Sequence, residues 1–147
     1  MVKQVLLQNR VVLEIVEIEN IRSDLDQLIE IMKVLREIGY SYAIDDITSG
    51  YNRIRLISET TPDYIKLDAP LIHKCNECEN KQTIIKHMAL IRAGIGSRVV
   101  AENMETPEEL ETVKQLRVKY AQGFHIAEPK KLEILYTKNN FKEELLV

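Results

Sequence analysis

The chain has 147 residues, 45% of them hydrophobic and 29% charged, with acidic and basic side chains interspersed and a formal net charge of −3 at pH 7. That is about one domain of sequence, long enough to bury a real core and too apolar to stay disordered. The charge balance gives no bulk positive surface for a nucleic-acid polymer, and no apolar run reaches the roughly 20 residues needed to span a bilayer.

The start, Met1-Val2-Lys3-Gln4-Val5-Leu6-Leu7-Gln8, lacks the long apolar stretch of a signal peptide. A cytoplasmic location, with no membrane segment in this chain, is the expectation from that absence. Arg10–Ile18 then reads as a buried strand, rich in β-branched residues and carrying Glu14 and Glu17. Ser23-Asp24-Leu25-Asp26 is a capping-box-like start. Leu25, Leu28, Ile29, Met32 and Leu35 repeat at helical spacing until Gly39 stops the helix. Tyr40–Asp46 is the second strand. Asn52–Ser58 is a short helix with Ile54 and Ile57 inward, and Thr61-Pro62 breaks the chain.

Asp63–Asp68 is the third strand. Lys74-Cys75-Asn76-Glu77-Cys78-Glu79 follows, holding the two cysteines. A C-x-x-C pair reads as half a zinc site or a redox pair. Four zinc ligands would need a second pair, for which His73 and His87 are the nearby candidates. The flanking residues read as a polar loop, and the plainer expectation is two reduced surface thiols. Ile84, Ile85, Met88 and Ile91 mark a longer helix ending near Gly94, and Ser97–Glu102 is the fourth strand. Thr106-Pro107-Glu108-Glu109 is a strong helix start, with a cap, a proline at the first position and a glutamate closing the box. Val118–Gly123 is the fifth strand. Pro129 precedes a last helix, Lys130–Tyr136, and a charged tail.

The chemistry concentrates at Tyr42-Ala43-Ile44-Asp45-Asp46-Ile47-Thr48-Ser49-Gly50-Tyr51-Asn52. Adjacent side chains on a strand point to opposite faces, so Asp45 and Asp46 can serve one site only where the strand gives way to a loop. The alternative is a helix cap, since Asp followed by Thr-Ser-Gly before a helix is ordinary turn chemistry. Nearly every strand ends in a chemically capable residue: Glu14 or Glu17, Asp45 and Asp46, Lys66 or Asp68, Glu102, Gln122. The β-α rhythm implies a parallel sheet with helices outside. A doubly wound sheet gathers its functional groups at one switch point, whereas a (β/α) barrel draws them from the C-terminal ends of several strands. The expected fold is therefore α/β, a partial TIM-like (β/α) barrel of about five parallel units where a full barrel takes eight. Residues 1–147 would form one such domain without the N-terminal part of the barrel.

Five segments in this order resemble the EAL domain family. Leu13-Glu14-Ile15-Val16-Glu17 is similar to its E-[LI]-T-E strand, and Ala43 to Tyr51 resembles its D-D-F-G-T-G-Y segment. Asp63-Tyr64-Ile65-Lys66-Leu67-Asp68 matches D-x-[IL]-K-[IL]-D, and Ala101-Glu102-Asn103-Met104-Glu105-Thr106 is similar to A-E-G-V-E-T. Gln122-Gly123-Phe124 with the later Pro129 is similar to Q-G-[YF] and K-P. Each segment alone is weak; together, across residues 11–130, they are specific. The phosphoacceptor receiver domain also has an Asp pair and a Lys at strand ends, but its pair follows the first strand and its Lys usually precedes Pro. Here the pair follows the second strand and Lys66 precedes Leu67.

The resemblance implies a TIM-like barrel that hydrolyses cyclic di-GMP to linear pGpG in signal transduction, with two Mg²⁺ or Mn²⁺ ions clamping the attacking and leaving oxygens. By motif, Glu14 and Asp45 would ligate one metal, with Asp45 bridging and Asp46 on the second. Lys66 would hold or polarise the attacking water, and Glu102 would sit at the second metal or assist proton transfer. Gln122, Glu105 and Asp68 would support the site or the substrate. The plainer alternatives are a buried salt bridge from Lys66 to Asp46 or Glu102, and Glu102 as a turn cap. The sequence also departs from the family. The Glu-Ala-Leu motif and the next strand with its metal-binding Asn would lie upstream of Met1. Val16 replaces Thr, Ile47-Thr48-Ser49 replaces Phe-Gly-Thr, and Asn103 replaces Gly. Thr48 in place of Gly also gives up easy access to positive φ. Poor catalysis by this chain alone is expected, together with a homo-oligomer or partner chain covering the open barrel. A non-catalytic module for nucleotide or protein binding is the alternative.

Overall fold

The computed structural model describes residues 11–16, 25–47 and 51–129. Within them five short strands form one sheet in chain order: β1 (Val12–Ile15), β2 (Ser41–Ile44), β3 (Tyr64–Leu67), β4 (Arg98–Ala101) and β5 (Tyr120–Ala121). The recorded pairings β1–β2, β2–β3 and β4–β5 are parallel, with Glu14 opposite Ala43, Ile44 opposite Ile65 and Ala101 opposite Ala121. Parallel neighbours need a crossover. The crossovers carry α1 (Leu25–Glu37), α2 (Tyr51–Thr60), α3 (Ala69–Ile72), α4 (Glu79–Ile95) and α5 (Pro107–Gln115). The expected partial (β/α) barrel with about five parallel units is borne out. Among the described residues, no helix is long and apolar enough to cross a membrane.

Two compact units divide the chain, residues 1–66 with 91–98 and residues 67–90 with 99–147. In the first, α1 buries Leu25, Ile29 and Met32, and packs on α2. Ile44 and Ile65 of the central strands are fully buried, as expected of parallel strands covered on both faces. Gly39, at φ 98, ends α1, which only a residue without a Cβ does freely. The turn into β3 is latched by Arg36, whose guanidinium donates to the Thr60 and Thr61 carbonyls at 3.1 and 2.6 Å and to Asp63 Oδ2 at 3.2 Å. The same guanidinium lies 4.8 Å over the Tyr42 ring, a cation–π geometry.

In the second unit, Leu67, Ile72, Ile85, Met104 and Val113 are buried. The expected helix start at Thr106 is present in full: Thr106 Oγ1 accepts from the Glu109 N–H, Pro107 opens the helix, and Glu109 reaches back to the Thr106 N–H. Gly123 permits a close crossing, since a Cβ there would stand 2.7 Å from the Met104 Cα.

Several local expectations are corrected. Ile54 is 62% exposed, and Leu56 takes the inward position beside Ile57. The helix marked by Ile84, Ile85, Met88 and Ile91 is present, with Ile85 buried and Ile84 facing out. The segment after β3, expected as a polar loop, folds into α3 and a 3-10 turn at Cys75–Glu77. Cys75 is fully buried, so the expectation of two surface thiols fails for it. Glu17, Thr48 to Gly50 and the last helix at 130–136 lie outside the described residues.

Candidate metal and phosphodiester site

β2 ends at Ile44, and the chain turns at once: Asp46 adopts a left-handed conformation, φ 50. That turn removes the opposite-face problem of adjacent strand residues. Asp45 and Asp46 each present a carboxylate oxygen within 4.8 Å of the other. The exit is pinned on both sides, by Asp45 N–H to the Ile15 carbonyl at 3.2 Å and Ile47 N–H to the Lys66 carbonyl at 3.4 Å. Asp45 Oδ1 also accepts from the Asp46 N–H at 2.9 Å.

Lys66 comes from β3 and is only 5% exposed. Burying an ammonium is costly unless it is paired. Its Nζ lies 3.1 Å from Glu14 Oε1, at the end of β1, and 3.5 Å from Asp45 Oδ1, at the end of β2. The ends of three neighbouring strands therefore bring charged groups together in the first unit. The plainer alternative set Lys66 against Asp46 or Glu102; the ion pairs seen are with Glu14 and Asp45.

In the second unit Glu102, buried, follows β4. Its N–H donates to the Leu67 carbonyl at 3.0 Å. Gln122 Nε2, from the end of β5, donates to Glu102 Oε1 in a short contact. Asp68 is buried at the N-cap of α3. Glu105 is exposed, 3.7 Å from His73 Nδ1. Asp45, Asp68, Glu102 and Gln122 each stand one residue past the end of a strand, Glu14 and Lys66 are the next-to-last residues of theirs, and Glu105 lies four residues beyond β4. The capping box of α5 is closed by Glu109, as expected.

Two features escaped the sequence. Asn103 and the exposed Phe124 line a concave surface with Gln122, Gly123, Ala127 and Glu128. Phe124 stood inside a recognised motif, and that was the available signal. Glu109 is 1% exposed and accepts from three backbone N–H groups: Lys74 at 2.8 Å, Glu105 at 3.1 Å and Thr106 at 3.2 Å. Burial pushes its pKa up, but those three donors, with His73 nearby, outweigh it and hold the carboxyl below its ordinary value.

A sheet of parallel β-α units with charged groups at its strand ends is the frame of a partial TIM-like barrel. The profile of the EAL domain family matches residues 1–129, and the chain belongs to that family. It is 28% identical over 118 residues to the probable cyclic di-GMP phosphodiesterase PdeG of Escherichia coli, covering 80% of this chain and 23% of that one. The EAL domain of Mycobacterium smegmatis DcpA superposes with a TM-score of 0.81 at 25% identity, over 90% of this chain and 59% of its own. Klebsiella pneumoniae BlrP1 superposes with a TM-score of 0.73 at 34% identity, over 81% of this chain and 30% of its own, in a complex with manganese and cyclic di-GMP. BlrP1 also has a complex with calcium and cyclic di-GMP. The chain thus spans less than a quarter of PdeG and under two thirds of either solved chain.

Proposed function

We propose that the strand-end carboxylates of this chain hold a divalent cation, magnesium or manganese, for hydrolysis of the cyclic dinucleotide to linear pGpG, in a cytoplasmic setting. The ligands in this reading are Glu14, Asp45, Asp46 and Glu102. The observation that carries it is the buried Lys66 ammonium drawn against Glu14 and Asp45, which gathers charged groups from three strand ends. An all-oxygen donor set suits a hard cation. A divalent ion held there would polarise a phosphodiester oxygen and lower the pKa of water. Lys66 supplies a preorganised N–H donor for the attacking water or for charge that develops on the phosphodiester. Glu102, whose carboxylate accepts from Gln122, would serve at the second metal or assist proton transfer. Asp68 and Glu105 support the strand exits, and Phe124 offers an exposed aromatic face to a base.

Turnover by this chain alone is expected to be low. The family resemblance assigns further metal ligands to a Glu-Ala-Leu motif and an Asn strand that these 147 residues do not contain. Loss of ligands should cost more than the roughly 10–100-fold typical of the groups that orient them. The test is manganese titration followed by cyclic di-GMP turnover on the purified chain and on Asp45→Asn. Weak metal binding that disappears in Asp45→Asn, with slow turnover, is the expected result. A wild-type chain that binds no divalent metal overturns the metal reading. Turnover at ordinary enzyme rates, lost in Asp45→Asn, overturns the expectation of low activity.

A further inference from the structure

The capping box at α5 needs only the reciprocal bonds between Thr106 and Glu109. Glu109 does more. Its Oε2 also accepts from the Glu105 N–H, one residue before the cap, and its Oε1 accepts from the Lys74 N–H. Lys74, at φ 54, occupies the turn after α3. The two segments so joined both leave strands: residues 68–74 leave β3, and residues 102–106 leave β4. One buried carboxylate is therefore the shared acceptor for two strand-exit loops.

The β4 exit has other backbone ties. Glu102 N–H donates to Leu67, Met104 N–H donates to Gln122 at 3.0 Å, and Met104 O accepts from the His125 N–H at 2.9 Å. These hold the loop near its start and middle. Glu109 fastens its far end at Glu105 and Thr106. Asn103, between, is in the left-handed region at φ 54, so the loop makes a tight turn that both ends must hold.

We propose that Glu109 is a positioning residue for Glu102: by clamping the β4 exit to the β3 exit it fixes the backbone from which Glu102 presents its carboxylate. The proposal rests on the reading of Glu102 as a metal ligand. Glu109 itself touches no reacting group. An ionised carboxylate accepting three N–H groups makes charge-assisted bonds, stronger than neutral ones. Glutamine has the same shape but turns one acceptor into a donor, so Glu109→Gln must lose at least one of the three bonds without emptying the space.

The experiment uses the 147-residue chain as wild type, Glu109→Gln, Glu102→Gln and the double variant. It combines amide hydrogen exchange with manganese binding, at a temperature where melting curves show every variant folded. Glu109→Gln is expected to speed exchange at Lys74, Glu105 and Thr106 and to weaken manganese binding by about tenfold, the scale of partners that orient ligands. The loss should vanish when Glu102 is already Gln, because a positioning effect passes through that side chain and the two changes are then not additive. A purely structural role would move the melting curve without that coupling. Additive losses, or wild-type affinity in folded Glu109→Gln, overturn the proposal. If the wild type binds no manganese, the metal reading fails separately. Exchange then decides this one: faster exchange across residues 102–106 supports the clamp, and unchanged protection overturns it.

Discussion

Asn103 stands at φ 54 in the turn that follows Glu102. For most L-residues that region costs about 1–2 kcal/mol, and Asn is among the few side chains that visit it routinely. The resembling family segment, A-E-G-V-E-T, has Gly at this position, so the substitution keeps the backbone conformation by a second route. Replacing Asn103 with Gly should leave stability within a few tenths of a kcal/mol, whereas Asn103→Val should cost about 1–2 kcal/mol, read as a shift in the chemical denaturation midpoint. Equal midpoints for the Val and Gly variants would refute the argument. At this scale the sequence is readable where chemistry and backbone coincide. Asp45 and Asp46 sit where a strand gives way to a turn, and the charges of Lys66, Glu14 and Asp45 settle together as strand-end groups should. It is less readable for Ile54 and Ile84. Each has a similar apolar neighbour one or two positions away, and helical periodicity alone does not say which of the two faces the core.

The elements hidden from the sequence are the short ones. α3 has four residues, too few for a period to show. Its signals were Asp68 at the N-cap and Pro70 just inside the start. Missing α3 led directly to misplacing Cys75, which the following 3-10 turn buries, while Cys78 is half-buried. Burial, and then the charge of Glu109, push the Cys75 thiol above its ordinary pKa. The neutral thiol is the form the fold favours, so this contribution to stability is present below the ordinary thiol range and is lost as pH rises through the higher folded value. In native protein a thiol reagent should therefore label Cys78 first, with Cys75 slower by at least about tenfold because the thiolate is the reactive form. The gap should persist as pH rises into the ordinary thiol range and close on unfolding in denaturant. Equal labelling rates in the native state would contradict the burial of Cys75.

Strand order for the whole molecule followed from rhythm alone. Each apolar run is followed by a helical segment, consecutive strands usually lie side by side, and the sheet runs β1-β2-β3-β4-β5. Strand lengths did not follow: β5 has only two residues where six were expected, because hydrogen-bond partners and not composition decide where a ladder stops. Among the described residues β1 pairs with β2 and with no other strand, and Val12 and Val16 are exposed there. α1 also turns Ile31 and Val34 to solvent, and Ile38, just past its end, is exposed. Open strand edges with apolar side chains invite pairing. Sedimentation velocity should accordingly show a dimer or larger species that grows with concentration, or a requirement for a partner chain. A clean monomer across the accessible concentration range would count against this.

Lys66 gives the strand ends a tethered counter-ion of their own. Glu14 and Asp45 are partly neutralised in the bare protein, so their mutual repulsion does not wait for a solute to relieve it. A divalent ion bound there, as proposed, would have to compete with an ammonium that already occupies part of the negative field. Two unit positive charges about 4 Å apart repel by roughly 4 kcal/mol at an effective dielectric constant of 20, which sets the scale of that competition.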